Sequence, residues 1–243
     1  MRTDICGVQI DSLTMNETVE KVKSFIKRKE SLHLMGINAD KINMALKDSK
    51  LLKLINECEI INADGASVVI AGRFLKKPIP ERVAGIDLMT RLIEMSSKEG
   101  FSIYLLGATQ DVVIKTAEVL NISYKNLIIS GVQNGYFKDN ERKKILLDIQ
   151  EKKPDIVFVG ISSPKKEELI EFFLNNDSKS VFMGVGGSFD VISGTIKRAP
   201  IWMQHMSMEW FFRMCQEPRR LIKRYIVGNF VFIYHILHER FGK

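Results

Sequence analysis

Four short stretches carry residue types and spacings that could do chemistry. NADGASVVIAG places Asp64 between an apolar run and a glycine. A carboxylate at the end of a strand can act as a general base or a ligand, its acidity set by partial burial. Asp64 is equally suited to cap the helix expected from Ala66 onward, and the two roles are compatible. PIPERVAGIDLM sets Arg82 in an extended loop fixed by two prolines, shortly before Asp87, a candidate helix cap. An arginine there is either a solvated loop charge or a clamp for an anion. GISSPKKEELIEFF runs from a strand through small residues to Pro164 near a helix start. Its helix N-terminus, with Lys165 and Lys166, could take a phosphate; alternatively Lys165 through Glu168 is simple surface charge. GVGGSFD gathers Gly184, Gly186 and Gly187 ahead of Asp190 and resembles half of a GxGxxG fingerprint. It lies late in the chain, and no GxGxxG follows the first strand, which disfavours a dinucleotide dehydrogenase.

The elements that must position these residues are legible as short apolar runs alternating with helical periodicity. Strands are expected at 33–38, 59–64, 101–107, 126–132, 155–161 and 180–186. Amphipathic stretches such as DKINMALKDSKLLKLIN, IDLMTRLIEMSSKEG and TQDVVIKTAEVL lie between them. Apolar strands with little polar alternation, separated by helices, predict a mostly parallel sheet covered on both faces. The fold class expected is therefore α/β and Rossmann-like, over residues 1–195. In such sheets ligands collect at the carboxyl ends of the strands. Those ends hold Asn38, Asp64, Gly107 with Ala108, Gly160, and the segment from Gly184 to Asp190.

Residues 196–243 read as a helical appendage, with Pro200 and Pro218 as helix starts or breaks. The chain's net charge of +7 is concentrated there: from Lys197 onward nine Lys or Arg face three Glu. Arg213, Arg219, Arg220, Lys223 and Arg224 precede an uncharged run from Tyr225 to Leu237, broken only by His235. Arginines beside Trp202, Trp210, Phe211, Phe212 and Tyr225 would suit a core helix, a nucleic-acid patch or a membrane surface. The uncharged run favours the membrane surface. Thirteen residues make about 20 Å of helix, too short for a hydrocarbon core of about 30 Å. Three widely spaced cysteines (Cys6, Cys58, Cys215) and four scattered histidines argue against a disulfide framework and a zinc site. The N-terminus has no long apolar region, so the expected location is cytoplasmic and peripheral to the membrane.

Taken together these stretches, with INADKI, YLLGATQDVV, NGYF and MEWFFRMCQEPRRLIKRY, resemble the WecG/TagA/CpsF glycosyltransferase family across roughly residues 5 to 225. The resemblance implies inverting, metal-independent transfer of an N-acetylmannosamine-like sugar, with no cofactor. The donor would be a UDP-sugar and the acceptor an undecaprenyl-diphosphate-linked sugar of a teichoic acid, capsule or other surface glycan. It implies that Asp64 is the base, that Asn38 shares its pocket, and that Arg82 stabilises the leaving diphosphate. Gly107, Ala108, Gly160, Lys166, Gly184, Gly186, Gly187 and Asp190 would bind the nucleotide-sugar. Arg198, Arg213, Arg220 and Arg224 would meet the lipid diphosphate at the membrane surface, and the chain would form a homo-oligomer rather than bind nucleic acid. Two positions depart from the family pattern. Gly36 stands where a threonine is usual, and Lys166 where a glutamine is, which points to a different and acidic sugar.

Overall fold

The computed structural model describes residues 1–242, without the side chains of His205, Arg220, Lys223 and Arg224. Six parallel strands form one sheet: β3 (Leu32–Ile37), β4 (Ile60–Ala63), β5 (Ser102–Gly107), β6 (Ile128–Gln133), β7 (Ile156–Gly160) and β8 (Val181–Gly184), in the order β4-β3-β8-β7-β5-β6. All six expected strands are present. The near-continuous apolar character of the inner strands follows from burial on both faces, whereas the edge strand β6 is only partly covered. Ile156 and Phe158 point into one core layer, Val157 and Val159 into the other.

One layer of helices holds α1 (Met15–Arg28), α5 (Gly85–Glu99) and α6 (Gln110–Ser123). The other holds α2 (Ala39–Ala45), α3 (Ser49–Glu57), α4 (Ala66–Phe74), α7 (Arg142–Lys152) and α8 (Lys165–Leu174). The stretch DKINMALKDSKLLKLIN is two helices rather than one. Asp48 accepts hydrogen bonds from the backbone N–H groups of Lys50 and Leu51 and so starts α3 afresh.

A feature outside the six expected strands is the antiparallel pair β1 (Arg2–Ile5) and β2 (Val8–Asp11). Its two-residue turn has Cys6 at φ 51° and Gly7 at φ 81°. Positive φ at both central positions is what a tight hairpin turn requires. Beyond β8 the chain is helical, with α9 (Ser188–Ile192), α10 (Ile201–His205), α11 (Glu209–Gln216) and α12 (Pro218–Phe241). Pro200 caps α10 and Pro218 opens α12, as their fixed φ favours.

Helix α12 folds back across α2 and the hairpin. Phe232 and Ile236 are buried in the same cluster as Ile5, Val8, Ile10 and Ile42. Asn43 Nδ2 donates to the Gly228 carbonyl at 2.7 Å. At the far end Glu239 accepts from the Cys6 backbone N–H at 2.7 Å and from Lys77 Nζ. Among the described residues no helix is long and apolar enough to cross a membrane.

Candidate active site

The sheet order brings five of the strand ends named above onto one edge in succession, β4, β3, β8, β7 and β5. Asp64 follows β4. The helix that comes after it is capped by Gly65, not by Asp64, correcting the local capping expectation. The Asp64 carboxylate reaches instead to the start of α5, where Oδ1 accepts from the Gly85 N–H at 2.7 Å. That helix is capped at Ala84, and Asp87 lies within its first turn rather than at its cap. A carboxylate at a helix N-terminus is stabilised by the free N–H groups and the dipole. Beneath Asp64 lies Gly36 of β3, where an added Cβ would stand 3.2 Å from Asp64 Cβ. The missing side chain lets the Asp64 side chain pack directly over the β3 backbone.

Asn38, at the end of β3, accepts from the Lys41 N–H at 3.0 Å and caps α2. Its Cβ would touch a Cβ at Gly65 at 2.9 Å, so the turns after β3 and β4 are in contact. Arg82 lies across the same turn and donates from Nε to the Asp64 carbonyl at 2.8 Å. Its Nη1 pairs with Glu209 Oε2 of α11 at 2.8 Å.

Lys166 overturns the surface-charge reading of the KKEE segment. Lys165 and Glu168 are exposed, but Lys166 is only 7% exposed and Glu167 is fully buried. The Lys166 stem runs over Gly184, where a Cβ would meet Cδ at 2.5 Å. Lys166 Nζ lies 3.4 Å from Glu167 Oε1, which also takes Lys41 Nζ at 2.9 Å and Ser163 Oγ at 2.9 Å. Burial, reinforced by Lys41, brings the Lys166 ammonium down to about 8, with Glu167 and Asp64 opposing. Burial also works against ionisation of Glu167, but Lys41 and Lys166 outweigh it and bring that carboxyl down to about 2. Two cations therefore share one buried carboxylate within electrostatic reach of Asp64.

The strand-end glycines are mostly filled by the protein itself. Gly160 accommodates the Phe189 ring, Gly184 the Lys166 stem, and Gly187 the Arg213 guanidinium beside Asp190. Gly107 approaches the Gly160 backbone too closely for any side chain, and the next residue, Ala108, donates its N–H to the Gly160 carbonyl at 3.0 Å. Gly186, at φ 53°, faces open space. Arg198 bridges the appendage to the sheet domain, from Nη2 to Asp87 Oδ1 at 2.6 Å and from Nε to Glu209 Oε1 at 3.3 Å. Arg213 is carried by α11 and its Nε is buried without a hydrogen-bond partner among the described residues. The side chains of Arg220 and Arg224 lie outside the described residues. Among the described residues no cluster of three His, Cys, Asp or Glu side chains is placed to hold a metal ion.

Lys41, Glu167 and Glu209 are the site residues that sequence reading missed. Each is charged and in the first turn of a helix, a pattern shared with ordinary surface residues. The clefts of about 290 and 230 Å³ beside α12 are lined by the hairpin and by α2, away from Asp64.

A doubly covered parallel sheet thus carries a carboxylate, a buried lysine and arginines along its carboxyl edge, where such sheets collect their ligands. The model of the glycosyl transferase WecG/TagA/CpsF family matches residues 3–243. An N-acetylglucosaminyldiphosphoundecaprenol N-acetyl-beta-D-mannosaminyltransferase of Staphylococcus aureus strain MW2 is 35% identical over 222 residues, covering 90% of this chain and 87% of the relative. Proteins of the same name from strains N315 and MRSA252 match to the same extent. The chain belongs to the WecG/TagA/CpsF glycosyltransferase family, and it is a hexosyltransferase.

Proposed function

We propose that the protein transfers a hexose from a UDP-sugar to a sugar carried on a polyprenyl diphosphate, with inversion and without a metal, at the inner face of the cell membrane. The observation that carries this reading is the placement of Asp64, whose carboxylate is fixed at Oδ1 by the Gly85 N–H. The other oxygen remains for an acceptor hydroxyl. Asp64 removes that proton as the hydroxyl oxygen attacks the anomeric carbon and the bond to UDP breaks. Arg82, beside Asp64, offsets charge on the departing diphosphate, with Arg198 and Arg213 as further cations. Asn38 shapes the wall toward the acceptor, while Ala108, Gly186 and Asp190 face the nucleotide; Gly107, Gly160, Gly184 and Gly187 act behind them by letting the Gly160 backbone, Phe189, Lys166 and Arg213 pack close to the strand ends.

Lys166 refines the donor class. A buried ammonium that shares its one carboxylate partner with a second lysine is suited to a carboxylate on the sugar, and we propose an acidic hexose as the preferred substrate. The related mannosaminyltransferases support the lipid-linked acceptor by their names. The test is transfer from a panel of neutral and uronic UDP-sugars to a synthetic polyprenyl-diphosphate N-acetylglucosamine. The account expects an inverted product, formed fastest from a uronic donor. A clear preference for neutral UDP-N-acetylmannosamine rules out the acidic donor, and no transfer from any donor rules out the whole reading.

A further inference from the structure

Glu209 pairs with two arginines at the edge of the site. It is the first residue of α11 and comes from the appendage, not the sheet. Its two carboxylate oxygens go to two different arginines, Oε2 to Arg82 Nη1 at 2.8 Å and Oε1 to Arg198 Nε at 3.3 Å. Each arginine is held from behind by the sheet domain, Arg82 through the Asp64 carbonyl at 2.8 Å and Arg198 through Asp87 at 2.6 Å. The two guanidinium groups are thus set in place independently, and the carboxylate is the element that bridges them.

We infer that Glu209 occupies a diphosphate subsite formed by Arg82 and Arg198, and that the diphosphate of the donor displaces it. The inference rests on the proposal above that the donor is a UDP-sugar. Charge requires the exchange. Arg82 and Arg198 are balanced by Asp87 and Glu209, so a diphosphate arriving beside an intact Glu209 would meet like charge within bonding distance. With Glu209 withdrawn, two guanidinium groups face one carboxylate, and the phosphate oxygens take the vacated hydrogen bonds. Withdrawal is physically accessible, because the Glu209 side chain is 18% exposed and regains water on leaving. Arg213 lies one turn further along the same helix face, its guanidinium over Gly187. Glu209 is a positioning residue: before substrate arrives it ties α11 to the two arginines that the sheet domain already holds, and its exit reports that the subsite is filled.

Trp210 follows Glu209 and packs against Phe211 and Tyr225, with ring centroids 5.9 and 5.8 Å away. It is one of two tryptophans in the chain, the other being the exposed Trp202. The full-length protein is titrated calorimetrically with UDP and with uridine, for the wild type and Glu209→Gln. In parallel, Trp202→Phe leaves Trp210 as the sole tryptophan emitter. The inference expects Glu209→Gln to bind UDP about five-fold tighter, the size of a partly exposed ion pair removed as a competitor. Uridine binding should not change, and Trp210 emission should respond to UDP but not to uridine. A merely structural Glu209 would weaken ligands or leave them unaffected. UDP binding that is no tighter in Glu209→Gln, or a Trp210 signal silent while UDP binds, overturns the inference alone. A wild type that binds no UDP overturns the donor reading and the inference with it.

Discussion

At the residue scale, Lys166 is the group of the site whose charge changes at modest alkalinity. Burial is the main cause of the low Lys166 value of about 8, and the sign of its effect follows directly. The ammonium exists below that pH and is lost as pH rises through it. If Lys166 meets a sugar carboxylate, kcat/KM for a uronic donor falls with an apparent pKa near 8, while that for a neutral donor does not share this descent. Lys166→Gln should remove the descent and lower the uronic-to-neutral preference by about ten-fold or more, the loss of one charge-assisted hydrogen bond. A preference unaltered by both pH and the substitution would disconnect Lys166 from the sugar. Composition and periodicity in SPKKEE do not distinguish the buried Lys166 and Glu167 from the exposed Lys165 and Glu168; only the family resemblance singles out Lys166. The distinction is made by tertiary partners, Lys41 on α2 and Gly184 on β8, which lie far away in sequence.

Among the elements, α12 is apolar on two faces. Leu221, Phe232 and Ile236 are buried. Ile226, Phe230, Ile233, Leu237 and Phe241 recur at helical spacing on a second face, with Phe230 and Phe241 each 70% exposed. An apolar stripe next to a cationic block, on a helix too polar to span, suits the membrane interface. Each basic residue near an anionic leaflet adds about 1 kcal/mol. We propose that this face enters the interface and, away from lipid, associates with a second copy. Phe230→Ser with Ile233→Ser should abolish flotation with vesicles rich in anionic lipid and lower the sedimentation coefficient in their absence, with little change in the melting temperature. Flotation equal to that of the wild type would place membrane contact elsewhere. The uncharged run from Tyr225 to Leu237 announces an apolar helix. That Phe232 and Ile236 belong to the fold's core, and Phe230 does not, depends on where α2 and the hairpin stand.

At the scale of the whole molecule, the parallel sheet was legible because double burial leaves its strands almost without polar residues, as in IVFVG of β7. The site was partly legible for the same topological reason: residues that follow strands in such a sheet share one edge. Asp64, Asn38 and Arg82 come together there, joined by hydrogen bonds between the turns after β3 and β4. The hairpin escaped notice because RTDICGVQID is short and its turn uses Cys6, an uncommon residue at positive φ. Glu209 escaped because its partners lie more than a hundred residues away or in a separate loop, a relation that periodicity does not encode. The account as a whole stands on Asp64 as the base. The most direct measurement is turnover and UDP affinity of Asp64→Asn, which keeps an oxygen to accept from Gly85 while removing the proton acceptor. The account predicts turnover lower by about 100-fold or more, with the UDP dissociation constant within about two-fold of wild type. Turnover retained at the wild-type level would contradict it.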